Sequence, residues 1–141
     1  MTETISDTAR RKLVILDERT EMSITCTRYA SGERGPDPHV HREHTDAFYV
    51  LEGELMFSVG PDLEPVVVGA GGYVAVPPNV VHTFVNDSGA DACWLNMHVP
   101  DTGFAEYLRA LRDGREPDFD SFDPPADGGR PASLVMVALP A

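Results

Sequence analysis

Residues 38–54, PHVHREHTDAFYVLEGE, hold three of the chain's five histidines and then run into an apolar stretch. His39 and His41 alternate, so on extended backbone both side chains fall on one side. Asp46 opens the apolar run, and much later, in PPNVVHTFVN, His82 stands near the start of a second strand-like segment. Three imidazoles and one carboxylate form a donor set for a divalent transition metal. Imidazole suits Fe, Mn, Ni, Cu and Zn alike, and one carboxylate partly neutralises the dication. Such a set leaves octahedral positions open for water, dioxygen or a chelating substrate.

The remaining candidates read differently. His44, in the loop REHT, is expected to face solvent, with a supporting or substitute-ligand role as the alternative. Glu43 is the competing carboxylate if Asp46 falls short. His98, in CWLNMHVPD, shares a face with Trp94 and Asn96. It reads as a satisfied core or interface histidine, unless that face turns inward. In that case Asn96 and His98 line a pocket, and His98 becomes the candidate catalytic acid or base. Tyr49, Phe57, Tyr73, Phe84 and Met97 read as core rather than as a substrate cage.

Elements of alternating polarity must position these residues. KLVILD (12–17) and MSITCTRY (22–29) read as strands, the second with Met22, Ile24 and Cys26 on one face. SGERGPDPH (31–39) is a loop by its glycines and prolines. AFYVLEG (47–53) and ELMFSVG (54–60) flank Glu52-Gly53-Glu54, a tight turn with glycine at the positive-φ position. PVVVG, GYVAVP, VVHTFVN and ACWLNMHV continue the series at roughly ten-residue spacing, which suggests an all-β sandwich or barrel. FAEYLRALRDG (104–114) alone reads as helix, with Phe104, Tyr107, Leu108 and Leu111 on one stripe and Gly114 as its stop. Residues 115–132 carry much proline and aspartate and little to bury, so they read as an irregular, partly mobile tail dispensable to the barrel. SLVMVALPA then offers a last edge strand. The expected organisation is one domain, residues 1–114, followed by the tail 115–141.

Composition narrows the function. With 141 residues the chain suits a single core. A formal net charge of −12 repels phosphate backbones and anionic lipid, so neither nucleic acid nor a membrane surface is an expected partner. The N-terminus lacks a signal-peptide pattern, and Cys26 and Cys93 sit in strand-like surroundings as expected free thiols, so the expected location is cytoplasmic.

The histidine spacing resembles the cupin superfamily, marked by G-x5-H-x-H-x3,4-E-x6-G and G-x5-P-x-G-x2-H-x3-N. His39-x-His41-x4-Asp46-x6-Gly53 follows the first motif, and Gly71-x5-Pro77-x-Asn79-x2-His82-x3-Asn86 follows the second. Three positions depart. Glu33 stands at the first-motif glycine, with Gly32 and Gly35 beside it. Asn79 replaces the second-motif glycine and is the residue that next best tolerates a left-handed backbone. Asp46 replaces the usual glutamate and is shorter by one methylene, about 1.5 Å. It either ligates or stands behind a ligating histidine.

The resemblance implies a cupin-type double-stranded β-helix, or jelly-roll barrel, with one short C-terminal helix. It further implies a divalent metal held by His39, His41, His82 and Asp46, a small-molecule ligand or substrate, and a homodimer in which terminal edge strands meet a partner. Quercetin dioxygenase-like cupins are the most similar group, which implies a metal-dependent oxygenase acting on a small enol, diketone or flavonol-like molecule. A non-catalytic small-molecule sensor and a metal-assisted isomerase using His98 are the alternatives.

Overall fold

The computed structural model describes residues 2–140. Its strands are β1 (Glu3–Asp7), β2 (Arg11–Arg19), β3 (Met22–Tyr29), β4 (Thr45–Glu52), β5 (Glu54–Val59), β6 (Glu64–Gly69), β7 (Tyr73–Val76), β8 (His82–Val85), β9 (Ala92–Val99) and β10 (Met136–Ala138). One helix, α1 (Phe104–Arg112), follows β9. They form a seven-stranded sheet of order β1-β2-β3-β9-β4-β7-β10 and a three-stranded sheet of order β6-β5-β8.

Period-2 patterning decides which side chains the two sheets enclose. In β3 and β9 every second residue is buried, so Ser23, Thr25 and Thr27 turn inward opposite His98, Asn96 and Trp94. The larger sheet contributes Phe48, Val50, Val74, Val76 and Trp94 to the core, and the smaller contributes Leu55, Phe57, Val59, Val68 and Phe84. The two inner faces thus close on one another as a jelly roll. Helix α1 lays Ala105 and Leu108 against Ile15, with Ile5, Leu13, Phe104 and Tyr107 beside them. A second small core therefore covers the inner side of β1 and β2.

Two turns carry the backbone conformations expected of them. Gly53 joins β4 to β5 at φ 69°, and a Cβ there would run into the Asp91 carbonyl. Asn79 adopts φ 66°, so it does fill the left-handed position of the glycine it replaces. Gly114, at φ 69°, follows the helix end.

Several expectations need correction. β1 was not foreseen, because ETISD has only one large apolar residue; pairing to β2 holds it. His39 and His41 lie outside any strand. His39 makes an isolated bridge to His82, and Val40 another to Phe122. Tyr49, Tyr73 and Met97 face out of the sheet, not into the core, because Asp46, Phe48 and Val50 take the inward parity of β4. Cys26 and Cys93 are free thiols, as expected, though half-buried on that outer face rather than fully buried.

The tail is irregular over most of its length but tied to the barrel. Asp120 is buried, and Ala132, Val135 and Val137 pack on the main core. SLVMVAL does supply a final strand, β10, paired antiparallel to β7.

Candidate metal centre

Histidine side chains converge here because backbone carbonyls aim them. His39 Nδ1 donates to the Asp37 carbonyl at 2.8 Å, His82 Nδ1 to Val80 at 3.0 Å, and His41 Nδ1 to Asp120 at 2.6 Å. A carbonyl only accepts, so in all three rings the proton sits on Nδ1 and the Nε2 lone pair is left for another partner. Those nitrogens and an Asp46 oxygen form a four-residue group whose ligand atoms all lie within 4.8 Å of one another.

Asp46 divides its two oxygens between two tasks. Oδ2 lies 3.2 Å from His41 Nε2 and 3.1 Å from His82 Nε2. Oδ1 accepts from Asn96 Nδ2 at 2.6 Å and lies 3.0 Å from His98 Nε2. The inward face of β9 thus grips one carboxylate oxygen and leaves the other pointing at the histidines. His98 does turn inward with Trp94 and Asn96, and it serves Asp46 directly.

The donor chemistry fits a cation. With Nδ1 protonated, a neutral His41 or His82 would set its Nε2 lone pair against the Asp46 lone pairs, which repels. Only a proton or a metal ion between them turns the contact attractive. Donors placed about 2.1 Å from a metal lie about 3.0 Å apart when adjacent in an octahedron, close to the two Asp46 contacts.

Electrostatics agree. Burial and the neighbouring His82 and His41 push the His39 pKa down to about 3, which keeps its lone pair free at neutral pH. Burial disfavours a charged His41, but the Asp46 carboxylate and the Asp120 carbonyl outweigh it and raise its pKa. Burial likewise opposes the Asp46 charge. The His98, His41 and His82 imidazoles overcome it and hold Asp46 well below the ordinary carboxylate range.

His44 overturns its expected place in solvent. It is 1% exposed, and its Nδ1 lies 2.8 Å from both Asp120 Oδ2 and Thr102 Oγ1. Its ring lies 4.1 Å from that of His41 by centroids, tilted by 30°, and does not join the four-residue group. Glu43 joins it no more than His44 does; its amide donates to Asp120.

Asp120 and Phe119 were missed. Asp120 accepts from the Arg42 and Glu43 amides and from His44 through its carboxylate, and from His41 through its carbonyl. Phe119 covers His41, His44 and His98. The one available signal was the aromatic pair in FDSF, an apolar feature in a segment otherwise without one.

His39, His41 and Asp46 of the group line a cavity of about 290 Å³, walled largely by Tyr29, Phe84, Trp94, Phe104, Tyr107 and Phe119. Its one lining cation, Arg11, is paired with Glu33 at 2.6 Å and lies over the Tyr29 ring.

Comparison with known proteins follows the same lines. No curated protein matches the chain by sequence. Among solved structures, KdgF from Halomonas sp. is similar at 17% identity and a TM-score of 0.64, over 73% of this chain and 90% of that one. An RmlC-like cupin from Shewanella frigidimarina shares 28% identity with a TM-score of 0.60, over 71% of this chain and 85% of its own. A sugar phosphate isomerase of the cupin superfamily from Silicibacter pomeroyi shares 23% identity with a TM-score of 0.57, over 65% and 60%. The Cupin domain family matches residues 26–98, just over half the sequence and the stretch that holds all five histidines, and the chain belongs to that family.

Proposed function

We propose that this cupin is a metal-dependent oxygenase for a small, largely apolar molecule with a chelating enol or diketone head. The observation that carries the reading is that His39, His41 and Asp46 line an aromatic cavity, with His82 grouped behind them. A bound redox-active divalent metal would supply Lewis acidity toward the substrate oxygens and a site for dioxygen.

The protein's own part is positioning. Nδ1 contacts to Asp37, Asp120 and Val80 fix the three rings, and Asn96 with His98 fixes Asp46. Tyr29, Trp94, Phe104 and Phe119 offer flat apolar walls that exclude water from a substrate ring. The volume lies at the small end of ligand pockets, about 300–1,000 Å³, and so suits a small enol or diketone better than a three-ring flavonol.

Two features weigh against an isomerase acting on a sugar phosphate, the activity named for the Silicibacter neighbour. A phosphate needs cations, and the cavity's Arg11 is already engaged by Glu33. A proton carrier needs a free nitrogen, and His98, with Nε2 held against Asp46, has only its buried Nδ1 left for that task.

The test combines elemental analysis of the native protein with oxygen uptake against enols, β-diketones and flavonols. A redox-active metal with uptake on an enol or diketone is expected. Metal-loaded protein that takes up no oxygen, yet melts higher with such ligands, would replace the oxygenase by a binding protein.

A further inference from the structure

Helix α1 forms the outer wall of the cavity. It supplies Phe104, Tyr107, Leu108 and Leu111 to the lining, and Leu111, 51% exposed, reaches the surface. Phe104 also sets its ring 4.0 Å from that of His98 by centroids, edge to face, so the same helix covers a residue that holds Asp46. Both ends of the helix meet glycines in the left-handed region: Gly103 at φ 97° precedes it and Gly114 at φ 69° follows it. Apart from chain neighbours, a Cβ at either would meet no atom within 4 Å. Open space and the missing side chain let these two positions absorb large φ/ψ changes, which is what a hinge does. The chain is anchored just outside them. The Asp101 amide donates to the Thr20 carbonyl at 3.2 Å on one side, and Asp120 accepts the Arg42 and Glu43 amides on the other.

Charge supplements a small apolar contact in holding the helix down. Ala105 and Leu108 rest on Ile15, beside Ile5 and Leu13. Arg109 then reaches across to two strands: its Nη2 lies 2.8 Å from Glu3 Oε1 on β1 and 2.8 Å from Glu18 Oε1 on β2. Arg112 Nη1 adds a contact to Glu3 Oε2 at 3.2 Å. Glu3 and Glu18 are 37% and 38% exposed, so salt screens both Arg109 pairs. Pairs of this exposure stabilise weakly, enough to bias a hinged helix and too little to fix it. Arg109 also pairs with Glu106 on its own helix, so without it three carboxylates would face one another as like charges.

We propose that α1 is a lid on the cavity, swinging on Gly103 and Gly114 and latched to β1 and β2 through Arg109. Closed, it stacks Tyr107 on Phe119 at 4.8 Å and shuts the cavity from water. Open, it parts that pair and admits a molecule from outside. The inference concerns access to the cavity whatever binds there, so it stands apart from the oxygenase reading.

The chain's one tryptophan, Trp94, lines the cavity and is 1% exposed. Quenching of its fluorescence by acrylamide, an uncharged probe small enough to enter, therefore reads the lid in metal-free protein of the full chain. Arg109→Gln should raise the quenching constant about fivefold, the factor that two exposed ion pairs are worth together. Raising sodium chloride from ~0.01 M to ~1 M shortens the screening length from about 30 Å to about 3 Å. That should open the wild type in the same direction and leave Arg109→Gln little changed. The salt series needs no substitution, so it decides the matter should the variant not fold. Circular dichroism taken alongside should stay native throughout. Quenching that ignores both salt and Arg109→Gln overturns the proposal. So does a wild type quenched as readily as free N-acetyltryptophanamide, which means a cavity open at all times, or quenching that rises only as the dichroism is lost.

Discussion

Replacing Asp120 tests whether the tail supports the candidate metal centre. Its carboxylate accepts at 2.8 Å from the Arg42 amide, 2.7 Å from the Glu43 amide and 2.8 Å from His44 Nδ1, in a buried position. Its carbonyl takes His41 Nδ1 at 2.6 Å. In Asp120→Ala the two amides are only part-buried and regain water, and His44 keeps Thr102. About 1 kcal/mol for each of three lost bonds, some of them charge-assisted, totals ~3 kcal/mol. For a chain of this length that lowers the melting midpoint by about 10 °C. The substitution spares the backbone carbonyl but frees the loop that presents it, so His41 loses its orienting partner. Such losses weaken metal binding about 10–100-fold. Asp120→Asn keeps one acceptor and should fall between. Differential scanning calorimetry of chelator-treated protein, paired with metal titration, reads both effects. An Asp120→Ala variant with unchanged melting and unchanged metal affinity would refute the reasoning, and the tail would be an ornament after all.

Further outcomes follow from the same geometry. His41→Ala or His82→Ala should abolish stoichiometric metal by elemental analysis; full occupancy in either removes that residue from the ligand set. Asp46→Asn should bind metal clearly more weakly while Asp46→Glu retains it, and an Asn variant titrating like wild type shows that the carboxylate does not ligate. Asn79→Gly should leave stability nearly unchanged, whereas Asn79→Ala should cost about 1 kcal/mol at φ 66°, measured by denaturant unfolding. Metal-free protein should lose stability as pH falls from about 6.5 toward 4. The unfolded chain protonates His39 and His44 there, whereas in the fold burial pushes them to about 3 and about 4. His41, raised in the fold, opposes this: its contribution is complete below about 6.5 and fades as pH rises. Urea midpoints at pH 7 and pH 5 in chelator decide it, and greater stability at pH 5 contradicts the assignment.

Much of this protein is written in short-range pattern. Alternation in MSITCTRY and ACWLNMHV determines β3 and β9, because a half-buried strand needs one apolar or buried face every second residue. The spacing of His39, His41, Asp46 and His82 marked the four-residue group, and Asn79 announced its own left-handed turn. Tertiary structure alone decided the rest. No local rule puts Asp120 against His41, 79 residues earlier, since that contact exists only once the tail has crossed the barrel mouth. His44 looked solvated because its neighbours are polar; Asp120, Thr102 and Phe119, all distant in sequence, bury it. Tyr49 stands three residues after Asp46, so once sheet packing turned Asp46, Phe48 and Val50 inward, strand parity placed Tyr49 outside. Asp46 itself was visible from the first reading, but the division of its two oxygens was not. That required β9 to lie beside β4, so that Asn96 and His98 could hold one oxygen and leave the other for the histidines.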